Sequence, residues 1–219
     1  FIEVTRCLIT LDVTQNVCDE AAGCGADLIL SHHPVIFDPI KRISSQSTIY
    51  QLISEGISVI SAHTNLDKSK NGVNDVLICR LGVKSAVPVG DTNDGLKIGS
   101  LGTMMTGVEL AHHVKERLWA SSVRLFDAGF PIETVAICSG SGGSFLKDAV
   151  KAGADALITG DVKHDVVVEA ANCGMTVIDA GHYETEQIII EPLIEYLTPL
   201  FPDVEFMRAQ SCKPFFTVV

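Results

Sequence analysis

Short apolar runs alternate along this chain with stretches whose apolar residues recur every three or four positions. The runs at 4–11, 27–30, 58–62, 134–138, 156–159, 176–180 and 204–208 are rich in Val, Ile and Leu and read as strands. Helical spacing covers 14–24, 48–55, 73–81, 106–119, 144–152, 165–173 and 184–197. Thr106-Gly-Val-Glu109 is spaced as a capping box that opens one of these helices. Strand runs with little alternation, separated by helices, predict an α/β fold with buried, largely parallel sheets.

The pattern fails in one place. Residues 83–102 (VKSAVPVGDTNDGLKIGSLG) are rich in Gly, Asp and Asn and read as a bridge between two halves. The halves echo each other. Gly25-Ala-Asp27-LILSHH is followed by a helix and by Gly56-ISVISA into His63. Gly153-Ala-Asp155-ALITGD is followed by a helix and by Gly174-MTVIDA into Gly181-His182. Each copy then carries an acid four residues on, at Asp67 and Glu186. Two matched blocks in the same order point to an internal duplication, although unrelated α/β units also share such features. The expected division is 1–90 and 91–219, the two halves forming one compact unit.

The 219 residues are 47% hydrophobic, enough for a substantial core. No apolar run is long enough for a membrane span. The opening FIEVTRCLITLDV has neither a basic segment nor a cleavage site, and it lacks Met, which suits a chain that starts inside a longer one. Seven scattered cysteines, odd in number and without a CxxC, argue for reduced thiols and a cytoplasmic setting. A formal charge of −11 disfavours direct nucleic-acid binding, which needs a basic footprint.

Sites in α/β sheets form beyond the carboxyl ends of the strands. Three such ends carry metal-ligand residue types: His32-His33, His63 with Asp67, and His182 with Glu186. Neighbouring side chains on an extended segment point apart, so His32 and His33 suit two different ions better than one. Pro34 then fixes the exit. In this reading Glu186 bridges the pair, with His182 on one ion and Asp67 on the other. Two-metal centres hold their ions about 3.5–4 Å apart and lower the pKa of water between them. The competing reading keeps these histidines as hydrogen-bonded structural groups, as His112-His113 within a helical pattern is taken to be.

Ser139-Gly140-Ser141-Gly142-Gly143 follows a strand and precedes a helix. Its amides suit an anion, and equally it is a tight turn that only Gly fits. It is neither a Walker A motif nor G-x-G-x-x-G. Asp161 and His164 either line the same cleft as orienting or proton-transfer groups, or Asp161 is a helix N-cap. No Ser or Cys sits in a nucleophile setting.

SHHPVIF, HTNLD, CSGSGGS, ITGDVKH and DAGHYETE, in this order, resemble the Nif-three-like family, also known as GTP cyclohydrolase I type 2 homologues or YbgI-like proteins. The resemblance spans nearly the whole chain, and SHHP with GHxxxE is specific. It implies paired α/β domains, a toroidal homohexamer built as a trimer of dimers, and a dinuclear centre of Zn, Fe or Mn in each subunit. The implied ligands are His32, His33, Asp67, His182 and Glu186, with His63 beside them as an orienting residue or proton shuttle. The family's upstream Asp-Asn-x-Gly-Leu-like segment is absent here. Its aromatic-His pair after TGD-x-K is replaced by His164-Asp165, and residues 83–102 leave no room for the extra domain of some members. Two functions follow: a dinuclear metal-dependent hydrolase, with a nucleotide substrate implied by the family name, or a non-catalytic metal-binding oligomer that regulates a partner.

Overall fold

The computed structural model describes residues 3–90 and 95–217. The chain divides into two units, Phe1–Leu66 with Ile189–Phe215, and Asp67–Ile188 with Phe216–Val219.

The first unit carries β1 (Arg6–Thr10), α1 (Gln15–Cys24), β2 (Leu28–Ser31), α2 (Thr48–Glu55), β3 (Ser58–Ser61) and the start of α3 (Thr64–Lys68). Its four-stranded sheet has the order β10-β1-β2-β3, where β10 is Glu205–Arg208, and every pairing is parallel. Thr14 caps α1 by accepting the Val17 amide, and Gly25 closes it in the left-handed region at φ 68°. Leu8, Val17, Ile29 and Leu52 are buried in its core, each worth roughly 1.5–3 kcal/mol. Burial also pushes the Cys7 and Cys18 thiols up to about 11, which keeps them inert.

The second unit contains α4 (Val73–Leu81), β4 (Lys84–Pro88), β5 (Lys97–Met105), α5 (Gly107–Arg117), β6 (Arg124–Phe126), β7 (Ile132–Ile137), α6 (Leu146–Lys151), β8 (Ala156–Thr159), α7 (His164–Cys173), β9 (Thr176–Asp179) and α8 (His182–Glu186). Its six-stranded sheet runs β4-β5-β7-β8-β9-β6. Only β7, β8 and β9 are mutually parallel; β4, β5 and β6 pair antiparallel. Leu77, Leu110, Ile132, Val135 and Ile158 lie in one of its cores.

Three expectations change. Residues 83–102 hold β4 and β5 rather than a bridge; 91–94 lie outside the described residues. The division at residue 90 gives way to one inside α3, because β4 pairs with β5 in the second sheet while β10 returns to the first. The second sheet is mixed rather than largely parallel.

The internal echo is structural. Asp27 Oδ2 accepts the amides of Thr5 and Arg6 at 2.8 and 3.0 Å, and Asp155 Oδ2 accepts those of Glu133 and Thr134 at 3.0 and 2.8 Å. Each Asp thus ties the start of its strand to the preceding parallel strand. Gly56 and Gly174 end the intervening helices at φ 70° and 67°. The GAD and Gly-strand blocks therefore repeat one physical unit.

The capping box on α5 is present: Thr106 Oγ1 accepts the Glu109 amide, and the Thr106 amide donates to Glu109 Oε2 at 2.8 Å. Thr106→Ala is expected to cost about 1 kcal/mol, read as a lower denaturant midpoint with an unchanged slope.

Candidate metal centre

In the first unit, three adjacent parallel strands deliver their exits together. His32 and His33 follow β2, and their amides donate to Thr10 O and Leu11 O, which extends the pairing with β1. His63 follows β3. Ring nitrogens of His32, His33 and His63 all lie within 4.8 Å of one another. The His63 ring centroid is 5.3 Å from that of His32 and 5.4 Å from that of His33.

Two of these rings are aimed by a second group. His32 Nδ1 lies 2.8 Å from the carbonyl oxygen of Ala62. A carbonyl only accepts, so Nδ1 carries a proton, and in the neutral ring Nε2 is left to present its lone pair. His33 Nδ1 is held in the same way by Asp12 Oδ1 at 2.9 Å. His32 is only 2% exposed. A buried imidazole whose Nδ1–H is tied to a carbonyl or carboxylate is the usual condition of a metal ligand.

The second unit repeats the device at the exits of β7, β8 and β9. His182 opens α8, and Glu186 follows one turn later on the same face. His182 Nδ1 is 2.7 Å from Asp161 Oδ2, and Nε2 is 3.1 Å from Glu186 Oε2. The hydrogen bond with Glu186, reinforced by its charge and by Asp161 and opposed by burial, raises the His182 pKa to about 9. A proton on Nε2 therefore stands where a cation is favoured. Glu186 is 3% exposed, and one of its oxygens lies within 4.8 Å of an Asp67 carboxylate oxygen. Two carboxylates that close and that sheltered need positive charge nearby. Burial, with Asp67 and Glu186, pushes the Cys138 thiol to about 12 and removes it as a nucleophile.

Asn74, fully buried on α4, joins two parts of this unit. Its Nδ2 donates to Asp67 O at 3.1 Å and its Oδ1 accepts the Ser139 amide at 2.8 Å. In the 139–143 loop, the Gly140 amide donates to Thr185 Oγ1 and the Gly142 amide to Thr159 Oγ1. Three of the five loop amides are thus spent inside the unit. At Gly140 (φ 60°) a Cβ would collide with Glu186 Oε1 and come within 3.3 Å of His182 Nε2. The absent side chain makes the hollow around these two donors.

Asp161 does not cap a helix. Lys163 stands at the N-cap of α7 with no side-chain bond, while Asp161, at φ 50°, points to His182. His164 is exposed as the first residue of α7. His113 Nε2 lies 2.8 Å from Leu81 O, a structural contact. Asp12, Ala62 O and Asn74 were not legible as site residues. Asp12 had one hint, an acid just beyond a strand end. The residues expected as ligands divide as His32 and His33 in one unit and Asp67, His182 and Glu186 in the other, each set bearing the donor chemistry of a divalent ion.

Comparison with known proteins shows the family. Residues 2–214 match the family DUF34/NIF3, NGG1p interacting factor 3. A Clostridium perfringens protein named GTP cyclohydrolase 1 type 2 homolog is 35% identical over 97% of this chain and 86% of its own length. NGG1-interacting factor 3 of Saccharomyces cerevisiae is 30% identical over 88% of this chain and 75% of its own. Among solved structures, protein ybgI, described as of unknown function, superposes with a TM-score of 0.85 at 28% identity, covering 97% of this chain and 87% of that one. With residues 2–214 matched by the family model and a 35% identical relative aligned over 97% of this chain, the chain belongs to the DUF34/NIF3 family.

Proposed function

We propose that this protein is a divalent-metal-dependent hydrolase whose two ions are held by His32, His33, Asp67, His182 and Glu186. The observation that carries the reading is the repeated tether: three histidines fixed through Nδ1 by Ala62 O, Asp12 and Asp161. When bound, such ions supply Lewis acidity and a more acidic water. The tethers keep Nε2 of His32 and His33 as lone-pair donors. Asp67 and Glu186 would offset the ions' charge, and His182 would release its Nε2 proton to solvent to serve as a donor. His63, beside His32 and His33, is placed to take up or return a proton. Metal identity among Zn, Fe and Mn follows supply rather than this ligand set.

The names of the curated relatives support a nucleotide substrate opened by water. If its phosphates meet the 139–143 loop, that contact falls to Ser141 and Gly143, since the other amides are engaged. No helix among the described residues is long and apolar enough to cross a membrane. The seven free cysteines support a reducing, cytoplasmic setting. Exposed Tyr50, Ile53 and Ile60 along α2 and the edge strand β3 support self-assembly, as in a hexamer.

The test is a screen of GTP and phosphoesters with Mn²⁺, Zn²⁺ or Fe²⁺ added. Turnover by the wild type that falls ~100-fold or more in Glu186→Gln, with the fold intact, supports the enzyme. A flat screen with metal bound favours the second reading, a metal-binding regulator, towards which the name of the yeast relative points.

A further inference from the structure

We infer that Phe37 is a stacking platform for a planar heteroaromatic group of the substrate, presented beside the imidazole cluster of the first unit. The inference rests on the hydrolase reading above and narrows its substrate class.

Residues 34–47 leave β2 through Pro34 and run without helix or strand to the Ser47 cap of α2. This stretch exposes Phe37 at 69%. A phenyl ring left in water forgoes the burial that a core Phe gains. Its one aromatic neighbour among the described residues is His63, at 5.9 Å between centroids and an interplanar angle of 90°. In perpendicular contact, one ring edge meets the other's face, so much of the Phe37 surface stays open. His63 in turn lies against His32 and His33. The chain therefore holds an open aromatic surface within one ring's contact of three metal-type donors.

A group lying there is sorted by shape. A flat π-system gains stacking as well as area, typically about 1–3 kcal/mol per base, whereas a sugar or alkyl phosphate gains little. Stacking is indifferent to which base is offered, so Phe37 selects a class, and polar contacts select within it. Prolines at 34 and 39 restrict the backbone on either side of the ring, which lowers the entropy lost when a ligand is bound.

The test uses metal-loaded full chain and equilibrium dialysis with two probes, GMP and ribose 5-phosphate, which shares the sugar and phosphate but lacks the ring. Metal content and oligomeric state are read on the same samples. Phe37→Ala is expected to weaken GMP binding by about 5- to 150-fold, to leave ribose 5-phosphate unchanged and to keep its metal. Phe37→Trp is expected to restore GMP binding. Equal loss of both probes, no loss of either, or failure of the wild type to bind GMP more tightly than ribose 5-phosphate would overturn the platform. So would a Phe37→Ala protein whose oligomeric state changes, because Phe37 would then belong to a contact between copies. A wild type that takes up no metal fails at the earlier step, and that result counts against the hydrolase reading itself.

Discussion

Glu186→Ala is expected to lower the affinity for divalent ions by more than ~100-fold, while the second unit stays folded. Removing a group that merely orients a ligand typically costs 10–100-fold in metal affinity, and Glu186 is proposed as a ligand itself. Its carboxylate is 3% exposed and lies 3.1 Å from His182 Nε2. It also lies close to Asp67, so its loss relieves a like-charge pair in the metal-free protein. Stability without metal should therefore change little, and stabilisation by added metal should vanish. The measurement is a pair of melting curves with and without Zn²⁺ or Mn²⁺, for wild type and variant. Binding to N alone raises stability by about 2.7 kcal/mol at a hundredfold excess over Kd. That shift is expected in the wild type only.

Gly160→Ala should be the most destabilising single-methyl change near the site. Its Cβ would lie 2.6 Å from His182 N, 2.7 Å from Gly181 C and 2.8 Å from Gly140 O. All three are backbone atoms, so no side chain can swing aside. Overpacking costs typically 1–3 kcal/mol. The Gly160 amide also donates to Gly140 O at 2.8 Å, a bond worth about 1 kcal/mol that the shift would strain. Together these predict a loss of about 2–4 kcal/mol, or roughly 5–15 °C in the melting midpoint for a chain of this size. Metal uptake should fall as well, because Gly160 is wedged between the Gly140 turn and the start of α8. A variant that melts like the wild type would mean that these exits are not packed as described.

The parts of the fold written in local pattern were legible. Helices 48–55 and 73–81 and strand 156–159 fall where the apolar spacing puts them. Strands β4 and β6 escaped because antiparallel edge strands bury less and alternate weakly, and β5, an interior strand, escaped because Gly and Ser interrupt its apolar pattern. β4 is largely exposed, and β5 carries Gly99, where a Cβ would lie 2.8 Å from Lys84 O. The pattern over 184–197 reads as one helix but is three pieces, α8, a 3₁₀ turn at Gln187–Ile189 and α9 (Ile190–Leu197). Pro192 accounts for the restart, since it has no amide and crowds the carbonyl four residues back. The donors were legible because His and acids at strand exits are chemically conspicuous. Their supports were not: Ala62 acts through a carbonyl, and Asn74 is an ordinary residue in a helical pattern. Asp12 meets His33 across 21 positions of sequence.

Elemental analysis of metal per chain, on wild type and His33→Ala reconstituted with Mn²⁺, Zn²⁺ or Fe²⁺, tests the central claim most directly. The account predicts about two ions per wild-type chain and fewer in the variant. A wild type that holds no ion under any of these conditions would contradict it, and the tethered histidines would then be structural groups at strand exits.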